Sequence, residues 1–289
     1  TPRPLEGIAV LKDMLDKRGL NSYEAAQIWN LLAFGYYTLD DTENTINAYE
    51  NLLAQEKITL ALELSALRAL YQLYYAGDEY RKSIEYMDKY LALKEEADPQ
   101  ISYLKANAYY QLKDWESALA MALQCEQEAI QLGREVKESW LYLQVVLYSE
   151  LKRMLDTVRV LETLVVRFPK KQYWMHLAGL YSEQDHEDRA LSAFYAAHVQ
   201  GMLTRESEVV MLAQRLLSQE VPFEAAGVLE SGFKEDRLTP TEKNLKLLAQ
   251  AYTMSKDYDD AIDAWRLTAK AGEDGDNYYR LAQSLANED

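Results

Sequence analysis

The chain has 289 residues, 31 Lys+Arg against 47 Asp+Glu for a formal net charge of −16, and 48% hydrophobic residues. That apolar share excludes a disordered chain. No stretch approaches the ~18 uninterrupted apolar residues of a membrane span, and the acidic balance disfavours nucleic acid, whose phosphates need a basic face.

The single Cys125 leaves no internal disulfide and no thiolate zinc cluster. Eleven Gly and six Pro are few for this length, which favours long helices with short turns over sheet. In chain order, Thr1-Pro2-Arg3-Pro4 reads as a flexible lead-in. Leu5 to Arg18 reads as an amphipathic helix stopped by Gly19, so that residues 1–25 form an N-terminal cap.

A repeated pattern follows. The first unit, near 26–59, carries Trp29, Leu32, Ala33, Tyr36, Tyr49 and Leu52, with Thr45 where a small Ala is expected. The second, near 64–97, carries Leu67, Leu70, Tyr74, Ser83, Met87 and Tyr90, with Tyr71 in a slot that prefers a small residue. The third, near 99–132, has Ala106, Tyr109, Trp115, Ala118, Ala122 and Cys125. The fourth, near 138–171, is degenerate: Leu141, Val145, Tyr148, Thr157, Leu161 and Leu164, then Phe168-Pro169. The fifth, near 171–204, is the clearest, with Trp174, Leu177, Ala178, Tyr181, Ala190, Phe194 and Ala197. The sixth, near 206–239, has Val209, Leu212, Ala213, Leu216, Ala225, Leu229 and Gly232. The seventh, near 242–275, has Leu245, Leu248, Ala249, Tyr252, Tyr258, Ala261 and Trp265. A lone helix over 276–289, with Tyr278, Leu281, Ala282 and Leu285, closes the chain as a second cap.

This large–Leu–small–Tyr, turn, Ala–aromatic–Ala rhythm resembles the tetratricopeptide repeat (TPR). The resemblance covers about nine tenths of the chain. It implies an all-α fold: a right-handed α-solenoid of about seven TPR helix pairs with capping helices. The spacing suits the physics, because residues three and four apart share a helix face. Small residues let two helices approach, and no pair buries its face alone. Asp98-Pro99, Phe168-Pro169 and Thr239-Pro240 read as helix ends between units.

Little in the sequence points to catalysis, and no cofactor or metal is expected. Cys125 occupies a slot filled elsewhere by Ala197 or Gly232, which suits a small buried residue, and it is flanked by Glu126 and Glu128 rather than by bases. His176, His186 and His198 lack the four-residue spacing of helical metal pairs. The run Gly272-Glu273-Asp274-Gly275-Asp276-Asn277 lacks the downstream Glu of a calcium loop. There is no phosphate-cradling glycine loop and no nucleophile elbow. The expectation is a non-enzyme.

The TPR resemblance implies that the first helix of each pair lines a groove. The groove register selects Asn30, Phe34 and Tyr37, then Arg68, Gln72 and Tyr75, then Tyr103, Asn107 and Tyr110, then Tyr142. Later units offer Gln214, Lys246, Gln250 and Thr253 among smaller, blander side chains. Tyrosines and amides suit capture of a partner peptide or helix, since they combine large area, few rotatable bonds and a polar tip. The same tyrosines could instead pack between neighbouring first helices, and the sequence leaves both readings open. Chaperone-binding TPR proteins use a basic clamp for an acidic tail; here the slots beside Asn30, Arg68, Asn107 and Lys246 are aromatic or apolar.

A narrower resemblance joins Phe168-Pro169-Lys170-Lys171, Trp174 to Tyr181 and Ala225 to Glu230 to TPR proteins of gamma-proteobacteria. These accompany TonB energy-transduction systems for iron uptake. It implies a periplasmic accessory of TonB-dependent transport, with TonB-complex components as partners and a signal sequence removed before Thr1. Two other classes stay open. One is a cytoplasmic TPR regulatory or chaperone-type module of a larger protein. The other is a self-associating structural protein, a homo-oligomer docked through its last helix.

Overall fold

A computed structural model describes residues 4–17, 19–272 and 274–286. The lead-in residues 1–3, Arg18, Glu273 and residues 287–289 lie outside the described residues. The described residues form two compact units, 1–153 and 154–289 by chain position, each built from helices alone.

The first unit holds α1 (Pro4–Leu15), α2 (Ser22–Tyr37), α3 (Thr42–Leu53), α4 (Leu60–Ala76), α5 (Tyr80–Lys94), α6 (Pro99–Gln111), α7 (Trp115–Gln131) and α8 (Glu138–Glu150). Within it α2 packs on α3, α4 on α5 and α6 on α7 as antiparallel hairpins, with α1 against α2 and α8 against α7. The second unit holds α9 (Met154–Arg167), α10 (Lys171–Glu183), α11 (Glu187–Val199), α12 (Glu206–Ser218), α13 (Pro222–Lys234), α14 (Glu242–Ser255), α15 (Tyr258–Ala271) and α16 (Gly275–Ala286). There α10 pairs with α11, α12 with α13 and α14 with α15, while α9 packs on α10 and α16 on α15. The junction of the two units falls in the short turn after α8, inside the fourth sequence repeat.

One turn design recurs. Asp40, Asp78, Lys113, Lys152, Asp185, Glu220 and Lys256 all adopt φ between 56° and 65°. They stand 38, 35, 39, 33, 35 and 36 residues apart, which is the rhythm of the sequence pattern. In each turn the next residue's N–H donates back to the carbonyl in the Tyr slot: Asp41 to Tyr36 (3.0 Å), Glu79 to Tyr74 (2.9 Å), Asp114 to Tyr109 (3.0 Å), Arg153 to Tyr148 (2.8 Å), His186 to Tyr181 (2.9 Å), Val221 to Leu216 (2.9 Å) and Asp257 to Tyr252 (3.0 Å). This six-to-one bond closes a helix around a left-handed residue and satisfies a carbonyl the helix would otherwise orphan. The following helix then starts at once. Asp41 and Asp114 accept from the backbone N–H groups of Asn44 (3.1 Å) and Ser117 (3.2 Å), N-caps that contribute about 1 kcal/mol each.

The small slots behave as packing requires. Ala33, Ala106, Ala178, Ala213 and Ala249 on first helices are buried, as are Ala118, Ala190, Ala225 and Ala261 on second helices. Thr45, in place of Ala, is buried with its hydroxyl donating to the Asp41 carbonyl at 2.7 Å. Tyr71 fits its small slot because the facing residue is Ser83, whose hydroxyl bonds the Tyr71 carbonyl at 2.7 Å, and its ring meets Tyr90 edge-on at 5.8 Å.

Two sequence expectations shift. The first helix ends at Leu15 rather than Arg18. Pro99 opens α6 instead of ending a helix, with Asp98 as its cap, because a missing N–H costs nothing at the first helical position. Pro222 opens α13 the same way.

Candidate functional site

The ten residues selected by the groove register all lie in the first unit, on α2, α4, α6 and α8, and they divide by environment. Phe34 and Tyr37 on α2 are 65% and 62% exposed, and Leu31 beside them is 52% exposed. Asn30 stands one turn before Phe34 on the same face and is half-buried. Tyr142 on α8 is 43% exposed.

The tyrosines of α4 and α6 are committed to packing. Tyr75 is half-buried and meets Tyr80 edge-on at 5.4 Å. Burial first, and then the nearby Tyr103 phenol, raise its pKa. Tyr103 lies 6.3 Å from Trp140, so rings on neighbouring first helices touch. Tyr110 lies 5.1 Å from Trp115 across its own hairpin turn. Asn107 turns its amide back onto the Tyr103 carbonyl at 2.8 Å. Gln72 is exposed. Arg68 spends its guanidinium on the Tyr90 hydroxyl at 2.6 Å and stacks over that ring. Inter-helix packing therefore accounts for Tyr75, Tyr103 and Tyr110, while Phe34 and Tyr37 keep open contact area.

Sequence reasoning passed over a second feature of this unit. Glu50 on α3 accepts from the Tyr74 hydroxyl (2.6 Å) and the Tyr86 hydroxyl (3.0 Å), whose rings stack at 5.4 Å. Lys82 and Lys89 sit over those rings. Glu50, Tyr86 and Lys89 also line a hollow of about 580 Å³ with Leu53, Glu63 and Leu67. No signal in the sequence marked Glu50, because a Glu beside a consensus Tyr reads as solvated helix face.

In the second unit a hollow of about 600 Å³ opens among α12, α14, α15 and α16, lined by Gln250, Thr253, Met254, Trp265 and Arg280 among others. Gln250 and Thr253, which the groove register also offered, line it. The enclosure comes from Trp265, whose indole N–H donates to the Thr253 hydroxyl at 3.0 Å, and from α16. Lys246 is engaged by Asp274 (3.6 Å) and Asp276 (3.4 Å), so the acidic run at the start of α16 faces a lysine; its Glu273 lies outside the described residues.

Among the described residues no group of three metal-ligating side chains converges, and no helix is long and apolar enough to cross a membrane. Cys125 is fully buried on α7. Burial, with Glu128 and Glu126 adding to it, pushes its thiol up to about 12, far from the thiolate that reacts. A thiol reagent added to native protein is therefore expected to label Cys125 only at the rate of unfolding. Labelling that is fast and independent of denaturant would contradict that placement.

No protein-family model matches the chain, and no curated protein matches it. Solved structures do resemble it. A tetratricopeptide repeat protein from Parabacteroides merdae is 14% identical, with 91% of this chain and 99% of that one covered and a TM-score of 0.47. MamA from Desulfovibrio magneticus RS-1 is 16% identical, with 62% and 95% covered and a TM-score of 0.46. The C-terminal part of a TPR repeat-containing protein from Cytophaga hutchinsonii is 12% identical, with 96% and 94% covered and a TM-score of 0.46. The chain is similar to TPR proteins. Its own helix hairpins and their recurring turn carry the description of its fold.

Proposed function

We propose that the chain is a non-catalytic interaction scaffold of the TPR type, which holds a peptide or helix of a partner protein on the first-helix face of its first unit. The observation that carries this reading is the exposed aromatic pair Phe34 and Tyr37, with Leu31 at its edge and the half-buried Asn30 beside it. Amphipathic aromatics of this kind serve as contact anchors because burying them gains much area at little rotamer cost. Tyr142 and Gln72 extend the same register on α8 and α4.

The partner segment is apolar or weakly basic rather than acidic. Arg68 is already bonded to Tyr90, Lys246 is already paired, and the chain carries −16 overall. The narrower sequence resemblance supports a more specific version, in which the partner belongs to a TonB-dependent transport system and the meeting takes place in the periplasm. The competing location is the cytoplasm, with the chain acting as a regulatory module of a larger protein.

The test is capture of TonB-system components by immobilised protein, repeated with the double substitution Phe34→Ala and Tyr37→Ala. Both side chains are exposed, so circular dichroism and melting are expected to change little. Affinity is expected to fall roughly tenfold or more, the scale of losing aromatic anchors. Capture at undiminished affinity would remove this face from the account. Absence of any TonB-system partner, with another protein captured in an F34- and Y37-dependent way, would keep the scaffold and reject the transport assignment.

A further inference from the structure

The first and last helices carry opposite halves of one repeat. In the clearest pair the first helix carries a large residue, a Leu, a small residue and a Tyr at fixed spacing: Trp174, Leu177, Ala178 and Tyr181. On α16 the same spacing gives Tyr278, Leu281, Ala282 and Leu285. Its position confirms that it is a first helix. Asn277 Nδ2 donates to Glu242 Oε1 at 2.7 Å, repeating one repeat later the bond from Asn244 Nδ2 to Glu206 Oε1 at 2.7 Å. Yet no second helix covers it among the described residues. Tyr278 is 56% and Leu285 44% exposed, and Ala282 is exposed where Ala178, Ala213 and Ala249 are buried.

The α1 helix is the converse. It packs on α2 as a second helix packs on the first helix of the next repeat, through Ile8, Leu11 and Leu15. The corresponding inward residues of α11 are Leu191, Phe194 and His198. In that register Gly7 stands where Ala190, Ala225 and Ala261 stand, and Val10 and Met14 stand where Ala193 and Ala197 stand. Those alanines are buried under a first helix. Gly7 is exposed, Val10 is 59% exposed, and Met14 is 36% exposed.

We propose that α16 of one copy docks against α1 of a second copy, completing an eighth helix pair across the two molecules with Ala282 set against Gly7. The occupant is argued from the fit. Among the described residues each uncovered apolar face lacks the half-repeat that the other supplies, and both keep the small residue at which paired helices approach most closely. The contact is heterologous, so it propagates head to tail unless a ring closes. A net charge of −16 on each copy opposes it, so association strengthens as salt screens that repulsion.

Gly7 permits a clean test. A Cβ added there meets nothing within 4 Å, so Gly7→Gln leaves the isolated chain intact and, by helix propensity, favours α1. Light scattering of the full chain over a concentration series, at low and high salt, is expected to show mass rising with both. Gly7→Gln and Ala282→Gln are each expected to abolish that rise, whereas Gly7→Ala, which supplies the residue found at this slot in α7, α11, α13 and α15, retains it. Mixing Gly7→Gln with Ala282→Gln is expected to give dimers and nothing larger, since one intact α16 face and one intact α1 face remain. A wild-type chain that stays monomeric throughout overturns the proposal. So does association that survives either Gln variant, or that only Ala282→Gln blocks, which would mean α16 takes a different occupant.

Discussion

Gly232→Val is expected to destabilise the second unit by about 3 kcal/mol, toward the upper end for overpacking a core. Gly232 sits in α13 with its Cα facing the chain that leads to α14. An added Cβ would lie 2.7 Å from Leu238 Cδ1 and 3.1 Å from Val209 Cγ1. Leu238 cannot simply withdraw. It is 4% exposed, and its own backbone N–H donates to the Gly232 carbonyl at 3.0 Å, beside a bond from Arg237 at 2.8 Å. The clash and the anchor thus involve the same two residues. Helix propensity works in the other direction, since Gly costs roughly 1 kcal/mol relative to Ala in a helix interior. Gly227, five residues earlier in the same helix, isolates that term: it is exposed, and a Cβ there meets nothing within 4 Å. Gly227→Ala is expected to stabilise by up to about 1 kcal/mol. Denaturant midpoints of the two variants are expected to move in opposite directions; a stabilised Gly232→Val would refute this packing.

Alkali is expected to unfold the protein cooperatively. Several tyrosines donate their hydroxyl to a carboxylate: Tyr74 and Tyr86 to Glu50, Tyr181 to Glu162 at 2.6 Å, Tyr80 to Asp78 at 2.6 Å, and Tyr252 to Glu230. Burial first and then the hydrogen bond hold Tyr74, Tyr86 and Tyr252 well above the usual phenol value and take Tyr181 to about 12. The Asp78 bond takes Tyr80 to about 12. A phenol that is harder to ionise in the folded chain stabilises the fold fully below the unfolded value of about 10, and that stabilisation is lost as pH rises from about 10 through the folded values. Helix content and tyrosinate absorbance are therefore expected to change together above pH 10. Tyr74→Phe is expected to cost about 1 kcal/mol at neutral pH, for the lost hydrogen bond, and to flatten the alkaline decline. Tyrosinate forming smoothly near pH 10 in a chain that stays helical would show that these bonds do not hold the phenols.

These bonds also show where sequence reading ran out. The Tyr slot was legible because a large residue recurs before each turn. What its hydroxyl meets was not, since Glu50, Glu162 and Glu230 come from the preceding second helix, 19 to 24 residues earlier. The same holds for the candidate site. The register chose Tyr75, Tyr110 and Phe34 on equal terms, and only packing separates them. Tyr80 and Trp115, from the following second helices, cover the first two rings, and among the described residues no such neighbour shields Phe34, which is 65% exposed.

Local chemistry fixed the helices, their turns and their pairing. Three-and-four spacing puts apolar side chains on one face, small residues admit a partner helix, and a left-handed residue four places after the Tyr slot reverses the chain. Those are properties of contiguous segments, so the sequence by itself determined them. Which aromatics stay open, which partners Lys246 and Arg68 take, and which faces of α1 and α16 stay uncovered among the described residues were decided by the tertiary structure. Each depends on which side chains from distant segments reach the same few ångströms, and one-dimensional spacing does not encode that.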